Sequence, residues 1–251
     1  MKLRNKNILI FGGGSGIGKA IAIRFIEAGA KVMITGRTEE KLKAVLNEVN
    51  SPNLFYEVFD IVAVNKHLDL FNECNDILGG LDGFVNAAAL GTGAYTGRGY
   101  EPWDITEDEW DTLTDINFKS AFFLMRNEID FMLKNNIRGN ILNIASNAAC
   151  MDIVGSYGAS KDAIIKWTRS FGKKYGHSGI IINGIAPGAT FTPMIAKYAY
   201  DINQKYERHA IERFIRPDEI AQLAFYLMSD YGEIICGHTV VADGGDNNAT
   251  L

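Results

Sequence analysis

Short apolar runs rich in β-branched residues alternate with longer amphipathic stretches along this chain, and that alternation narrows the fold more than any single motif. Residues Asn7–Phe11, Lys31–Thr35, Leu54–Phe59, Asp82–Asn86, Asn140–Ala145, Ile180–Ala186 and Gly237–Val241 read as strands. Several are apolar on both faces, as parallel strands covered on both sides should be. Between them, Gly18–Glu27, Glu39–Val49, Val64–Leu78, Glu107–Leu133, Ser156–Tyr175 and Pro217–Ser229 carry apolar residues at three-to-four spacing and read as helices. Thr106 with Glu109 makes a capping box, and Pro217 with Asp218 and Glu219 suits a first helical turn. Strand and helix in succession imply an α/β fold: a doubly wound parallel sheet of seven strands with right-handed crossovers and helices on both faces. No linker, repeat or low-complexity tract divides residues 1–251, so one domain is expected. Irregular zones at 90–105 and 190–216 read as a substrate loop and a lid-like segment.

A net charge of -5 argues against nucleic-acid or anionic-membrane partners, because nothing in the bulk charge would draw the chain to phosphate. The widely spaced Cys74, Cys150 and Cys236 suit a reducing, cytoplasmic setting without disulfides. His67, His177, His209 and His238 lack metal-ligand spacing, so no metal site is read. The apolar run Ile8–Phe11 is too short for a signal peptide core or a membrane span.

The first strand runs into Gly12-Gly13-Gly14-Ser15-Gly16-Ile17-Gly18 and then into a helix. Such glycines allow a tight turn and close backbone approach, and the helix N-terminus offers free N–H groups to a pyrophosphate. The same turn could serve packing alone. In dinucleotide folds an acid commonly ends the second strand and holds the ribose hydroxyls of NAD. Here the strand ends Thr35-Gly36-Arg37, and an arginine can fork onto a 2′-phosphate, which favours NADP(H) over NAD(H). The other reading leaves Arg37 beside adenine or in solvent.

Tyr157 and Lys161 stand four apart in Ser156-Tyr-Gly-Ala-Ser-Lys161. On a helix that offset puts phenol and ammonium on one face, and a fixed cation in a dry cleft favours the phenolate, letting tyrosine trade protons with an alcohol near neutral pH. The alternative is a packed tyrosine beside a solvated lysine.

Taken together these segments resemble the short-chain dehydrogenase/reductase family, over essentially the whole chain. Gly12-x-x-x-Gly16-Ile17-Gly18 is similar to its cofactor turn, and Asp60-Ile61 to its adenine-contacting pair. Asn86-Ala87-Ala88-Ala89 is similar to its fourth-strand motif, and Pro187-Gly188-Ala-Thr190-Phe-Thr192 to the segment that holds the nicotinamide carboxamide. Asn117, Ser146, Tyr157 and Lys161 match its catalytic set. Three departures stand out. Phe11 replaces a threonine, Ala87 and Ala89 replace asparagine and glycine, and the interval from Ser146 to Tyr157 is slightly short. The second departure implies that a hydrogen bond bracing the sheet is missing or replaced.

The resemblance implies a Rossmann-like fold and an NAD(P)-dependent oxidoreductase acting between a carbonyl and a secondary alcohol. Tyr157 would be the general acid/base, Lys161 would bind the nicotinamide ribose and favour the phenolate, and Ser146 would donate to the substrate oxygen. Asn117 would support a proton-carrying water. The expected cofactor contacts are Gly12, Ser15, Gly16, Ile17, Gly18, Arg37, Asp60, Ile61, Asn86, Ala87, Ala88, Tyr157, Lys161, Pro187, Gly188, Thr190 and Thr192. Tyr95, Arg98, Tyr100, Trp103, Cys150, Met151 and the segment Met194–Arg216 are candidate pocket walls. The family also implies a homotetramer, contacts being expected at the Tyr157 helix, its predecessor and the last strand. The alternatives are a 3-oxoacyl-thioester reductase and a non-catalytic dinucleotide-binding sensor.

Overall fold

The computed structural model describes residues 3–97, 104–151, 155–196 and 199–246. Its strands are β1 (Asn7–Phe11), β2 (Lys31–Gly36), β3 (Leu54–Val58), β4 (Gly83–Asn86), β5 (Gly139–Ile144), β6 (Ile180–Pro187) and β7 (Thr239–Ala242). They form one sheet in the order β3-β2-β1-β4-β5-β6-β7 with every pairing parallel, as the alternating pattern predicts. The principal helices are α1 (Gly16–Glu27), α2 (Glu39–Val49) and α3 (His67–Leu78), a short α4 (Thr92–Thr96), then α5 (Glu107–Thr114), α6 (Ala121–Lys134), α7 (Ser156–Tyr175) and α8 (Pro217–Met228). Among the described residues no helix is long and apolar enough to cross a membrane.

Side chains alternate across each strand, so neighbouring residues feed two cores. Ile8, Ile10, Val32 and Ile34 pack with α1, α2 and α8 on one face. Leu9, Phe11, Met33 and Phe84 pack with α3 and α6 on the other. Phe11, the residue standing in place of a threonine, fills this second core: its ring lies 6.2 Å from Phe71 and 6.4 Å from Phe59. Burying a side chain of that size contributes roughly 2 kcal/mol, so the aromatic choice serves packing.

Two expected elements differ. The stretch Glu107–Leu133 is not one helix, because a π-helical turn at Asp115–Ser120 separates α5 from α6. Two contacts hold the wider turn: Ser120 Oγ donates to the Asp115 carbonyl at 2.6 Å, and Asn117 reaches across to the backbone of Leu90. The other is Val64–Lys66, a 3₁₀ turn leading into α3. The capping box at Thr106 and Glu109 forms as read, each side chain engaging the other residue's backbone N–H. Part of the expected lid-like segment folds back on itself: Thr190 bridges Ile215, and Phe191 N donates to the Ile215 carbonyl at 2.8 Å.

Candidate active site

A cavity of about 820 Å³ opens at the carboxyl ends of the strands, where the strand order reverses between the neighbours β1 and β4. Helices cross to opposite faces at that point, which leaves the crevice in which doubly wound folds hold ligands. Gly12, Ser15, Gly16, Ile17 and Gly18 line one side of it. Gly12 sits at φ +79, and a Cβ there would lie 2.7 Å from the backbone nitrogen of Ala88. Gly18 presses against the Gly12 carbonyl with equally little room. Any larger residue at either position would push the turn off the sheet. The tight turn presents the start of α1 to the cavity, with no side-chain cap from Ser15 and no acid in the first turn. Its N–H groups and dipole therefore suit an anion such as a pyrophosphate.

Arg37, Asp60 and Ile61 line the same end, joined by Thr38 and by Lys41, a second cation that sequence reasoning did not single out. Lys41 lies in the first turn of α2, and nothing in its local pattern separates it from other exposed helix lysines. Ala87 and Ala88 form the cavity floor beside the glycines, and Pro187, Gly188, Thr190 and Thr192 line it at the end of β6. The glycine cradle, the helix start and these two strand ends together fit a dinucleotide.

Ser146, Tyr157 and Lys161 line the opposite end of the cavity. Ser146 follows β5, and its Oγ accepts from Ala148 N at 3.2 Å, which leaves the hydroxyl hydrogen available to a ligand oxygen. Lys161 Nζ lies 5.6 Å from the centre of the Tyr157 ring, so the four-residue spacing does bring ammonium and phenol together. Lys161 is 2% exposed and donates to the Ile144 carbonyl at 3.0 Å. Burial pushes its ammonium down to about 8, since water no longer stabilises the charge. A serine donor, a phenol and a desolvated amine facing one cavity can pass a proton to or from a ligand oxygen.

Several expected residues lie off this wall. Asn117 is 2% exposed and spends its amide on Leu90, accepting from Leu90 N at 2.8 Å and donating to Leu90 O at 2.7 Å. It positions the loop after β4 and does not line the cavity; its neighbour Ile116 does. Asn86, expected at the cofactor, instead turns between α6 and β5, where its Nδ2 donates to Glu128 Oε2 at 3.0 Å and to Asn143 Oδ1 at 2.9 Å. Asn143 in turn donates to Thr168 Oγ1 at 2.9 Å. This chain of polar groups is the replacement brace that Ala87 and Ala89 imply. Tyr95 points away from the cavity, with its hydroxyl 3.4 Å from Thr112 Oγ1 on α5, and Cys150 is off the wall whereas Met151 is on it. Arg98, Tyr100 and Trp103 lie outside the described residues. Sequence reasoning also missed Asn147 and Asp246, which meet across the far end of the cavity.

The brace has a measurable consequence. Glu128 is fully buried, and that burial pushes its carboxyl up to about 8, partly offset by the Asn86 hydrogen bond. The unfolded chain releases this proton above its ordinary value of 4.5, so the folded state loses stability as pH rises from there to about 8. Glu128→Gln is accordingly expected to raise the melting temperature by a margin that is small at pH 5 and widest above pH 8, worth on the order of 3 kcal/mol near neutrality. A margin independent of pH in thermal melts would contradict this.

Comparison with known proteins places these features in context. Residues 12–247 match the family model described as Enoyl-(Acyl carrier protein) reductase. The chain is 32% identical over 250 residues to a 2,5-dichloro-2,5-cyclohexadiene-1,4-diol dehydrogenase of Sphingobium indicum, covering 97% of each chain. It is 30% identical over 254 residues to the 3-oxoacyl-acyl-carrier-protein reductase FabG of Aquifex aeolicus, covering 98% of each. A crystal structure of a 3-ketoacyl-(acyl-carrier-protein) reductase from Brucella melitensis complexed with NADH superposes with a TM-score of 0.86 at 24% identity, over 98% of this chain and 99% of that one. At that identity the last likeness bears on the fold.

Proposed function

The chain belongs to the short-chain dehydrogenase/reductase family, and on that footing we propose that Tyr157 is the proton-transferring group of an NAD(P)-dependent oxidoreductase acting between a carbonyl and a secondary alcohol. The observation that carries this reading is the convergence of Ser146, Tyr157 and Lys161 on the end of a cavity whose other end is a glycine cradle. When bound, a nicotinamide supplies or accepts the hydride. Tyr157 Oη then gives its proton to the carbonyl oxygen, or takes one from the carbinol. Lys161, held on the Ile144 carbonyl, favours the phenolate by its charge. Ser146 donates from Oγ to the same substrate oxygen as negative charge builds there. Asn117 acts at one remove, as a positioning residue that holds the Leu90 loop. A cofactor-monitored screen of ketones and secondary alcohols with both nicotinamides tests this reading; no turnover of any of them would defeat it.

The finer cofactor reading is a preference for NADP(H). Arg37 and Lys41 both stand at the adenine end, where Asp60 is the one acid on the described wall. Two cations there favour a 2′-phosphate over a bare ribose. Arg37→Ala is expected to cut the advantage of NADPH over NADH by roughly tenfold, the value of a charge-assisted hydrogen bond at an exposed site. Equal kcat/KM for the two cofactors in the parent enzyme would contradict the preference.

The names of the relatives diverge between a cyclic diol and an acyl thioester, so the generic carbonyl or alcohol assignment is kept. The homotetramer reading draws support from half-exposed aromatics beside α7, where Phe118 and Phe122 lie 4.9 and 5.2 Å from Trp167. The cytoplasmic reading rests on the unpaired cysteines.

A further inference from the structure

The far end of the cavity narrows the substrate class, on the footing of the oxidoreductase reading above. Beyond Ser146 and Tyr157 the wall includes Met151, Met194, Ile195 and Phe214, and among the described residues Arg208 and Asp246 are the charged side chains that interrupt it. The Asp246 side chain is 2% exposed, and Asn147 Nδ2 donates to its Oδ2 at 3.1 Å. Asn147 directly follows Ser146, so the buried acid is tied to the reacting end of the site. Arg208 lies over Asp246 with Nη2 at 3.1 Å from Oδ2 and 3.4 Å from Oδ1, and the same nitrogen approaches Met151 Sδ at 3.2 Å.

All three contacts use one corner of the guanidinium. Nε and Nη1 make none among the described residues, and the side chain stays 46% exposed. A rigid fork of N–H donors is thereby left at the substrate end of an otherwise largely apolar wall. The acid behind it decides what that fork can take. A substrate carboxylate would be drawn by Arg208 but repelled by Asp246, whereas a neutral oxygen accepts from the guanidinium without that opposition. Keeping a carboxylate buried in such a wall is costly unless its pairing is used.

We propose that Arg208 reads a second, uncharged oxygen on the substrate, a hydroxyl or carbonyl other than the one that reacts. The substrates are then carbinols or ketones bearing at least two oxygens. The test compares oxidation of cyclohexanol, trans-cyclohexane-1,4-diol and 4-hydroxycyclohexanecarboxylate by the full chain with its preferred nicotinamide. The diol is expected to exceed cyclohexanol in kcat/KM by roughly ten- to a hundredfold, mostly through KM, since a hydrogen bond to a charged donor is at stake. Arg208→Met should collapse that ratio to the statistical factor of about two for a molecule with two equivalent carbinols, and Arg208→Lys, which keeps the cation but not the fork, should fall between. Asp246→Asn removes the opposing charge, and the carboxylate arm should gain on the diol by about tenfold or more. A ratio that survives Arg208→Met, or a parent enzyme that prefers the carboxylate, overturns the proposal. Failure of the parent to oxidise these or any alcohol of a broad screen overturns the oxidoreductase reading and takes this proposal with it.

Discussion

Replacing Tyr157 by phenylalanine should lower kcat by roughly a hundred- to ten-thousandfold, the range that a positioned acid/base supplies, while affinity for the nicotinamide cofactor stays within a few-fold. The expectation follows from position. The tyrosine lines one end of the cavity beside Lys161, whereas the glycine cradle proposed for the dinucleotide lines the other. Phe keeps the ring and its packing, so the loss is confined to the hydroxyl. Single-turnover measurements with saturating cofactor would check it, and a rate within tenfold of the parent would remove the phenol from the mechanism.

Lys161 yields the second large effect, in two opposite directions. Lys161→Met should cost at least about a hundredfold in kcat, because the phenolate loses the charge that favours it. The same substitution should stabilise the fold at neutral pH. The unfolded lysine binds its proton up to about 10.5, but the buried one only up to about 8, so the folded state is penalised below pH 8. That penalty fades as pH rises from 8 to 10.5. Its full size is on the order of 3 kcal/mol, reduced to about 2 kcal/mol in the variant by the hydrogen bond lost at the Ile144 carbonyl. Thermal melts of the two proteins should therefore differ most at pH 7 and converge towards pH 10. A variant less stable at pH 7 would mean that the lysine serves the fold rather than the chemistry.

Much of this architecture was readable from local pattern. Glu39–Val49 and Ser156–Tyr175 begin and end where their periodicity begins and ends, because amphipathic spacing and flanking breakers act over a few residues. The glycine turn was legible because its glycine spacing is itself local, although the neighbours that crowd Gly12 and Gly16, Ala88 and Thr192, come from distant strand ends. What escaped depends on distant partners. The π turn at Asp115–Ser120 interrupts a stretch whose three-to-four spacing runs on, and it is held by Leu90, 27 positions away from Asn117. Nothing local sets Glu128 apart within the helical stretch Glu107–Leu133, yet it is buried and bonded to Asn86, 42 positions away. Asn147 and Asp246 are separated by 99 positions and share no motif.

The alanines at 87 and 89 illustrate the same limit. Their presence implies that a brace is altered, but its replacement runs through Asn86, Asn143 and Thr168, on β4, β5 and α7. Only the assembled sheet brings those amides into register, Asn86 standing opposite Asn143.

The most direct test follows the hydrogen atoms. A ketone found in the cofactor-monitored screen is reduced with nicotinamide dinucleotide deuterated at the transferring carbon, in ordinary water, and the alcohol is analysed by mass spectrometry. One deuterium retained at the carbinol carbon, with that transfer slowed several orders of magnitude in Tyr157→Phe, is the predicted result. Alcohol formed without deuterium, or formed equally fast by the phenylalanine variant, would contradict it.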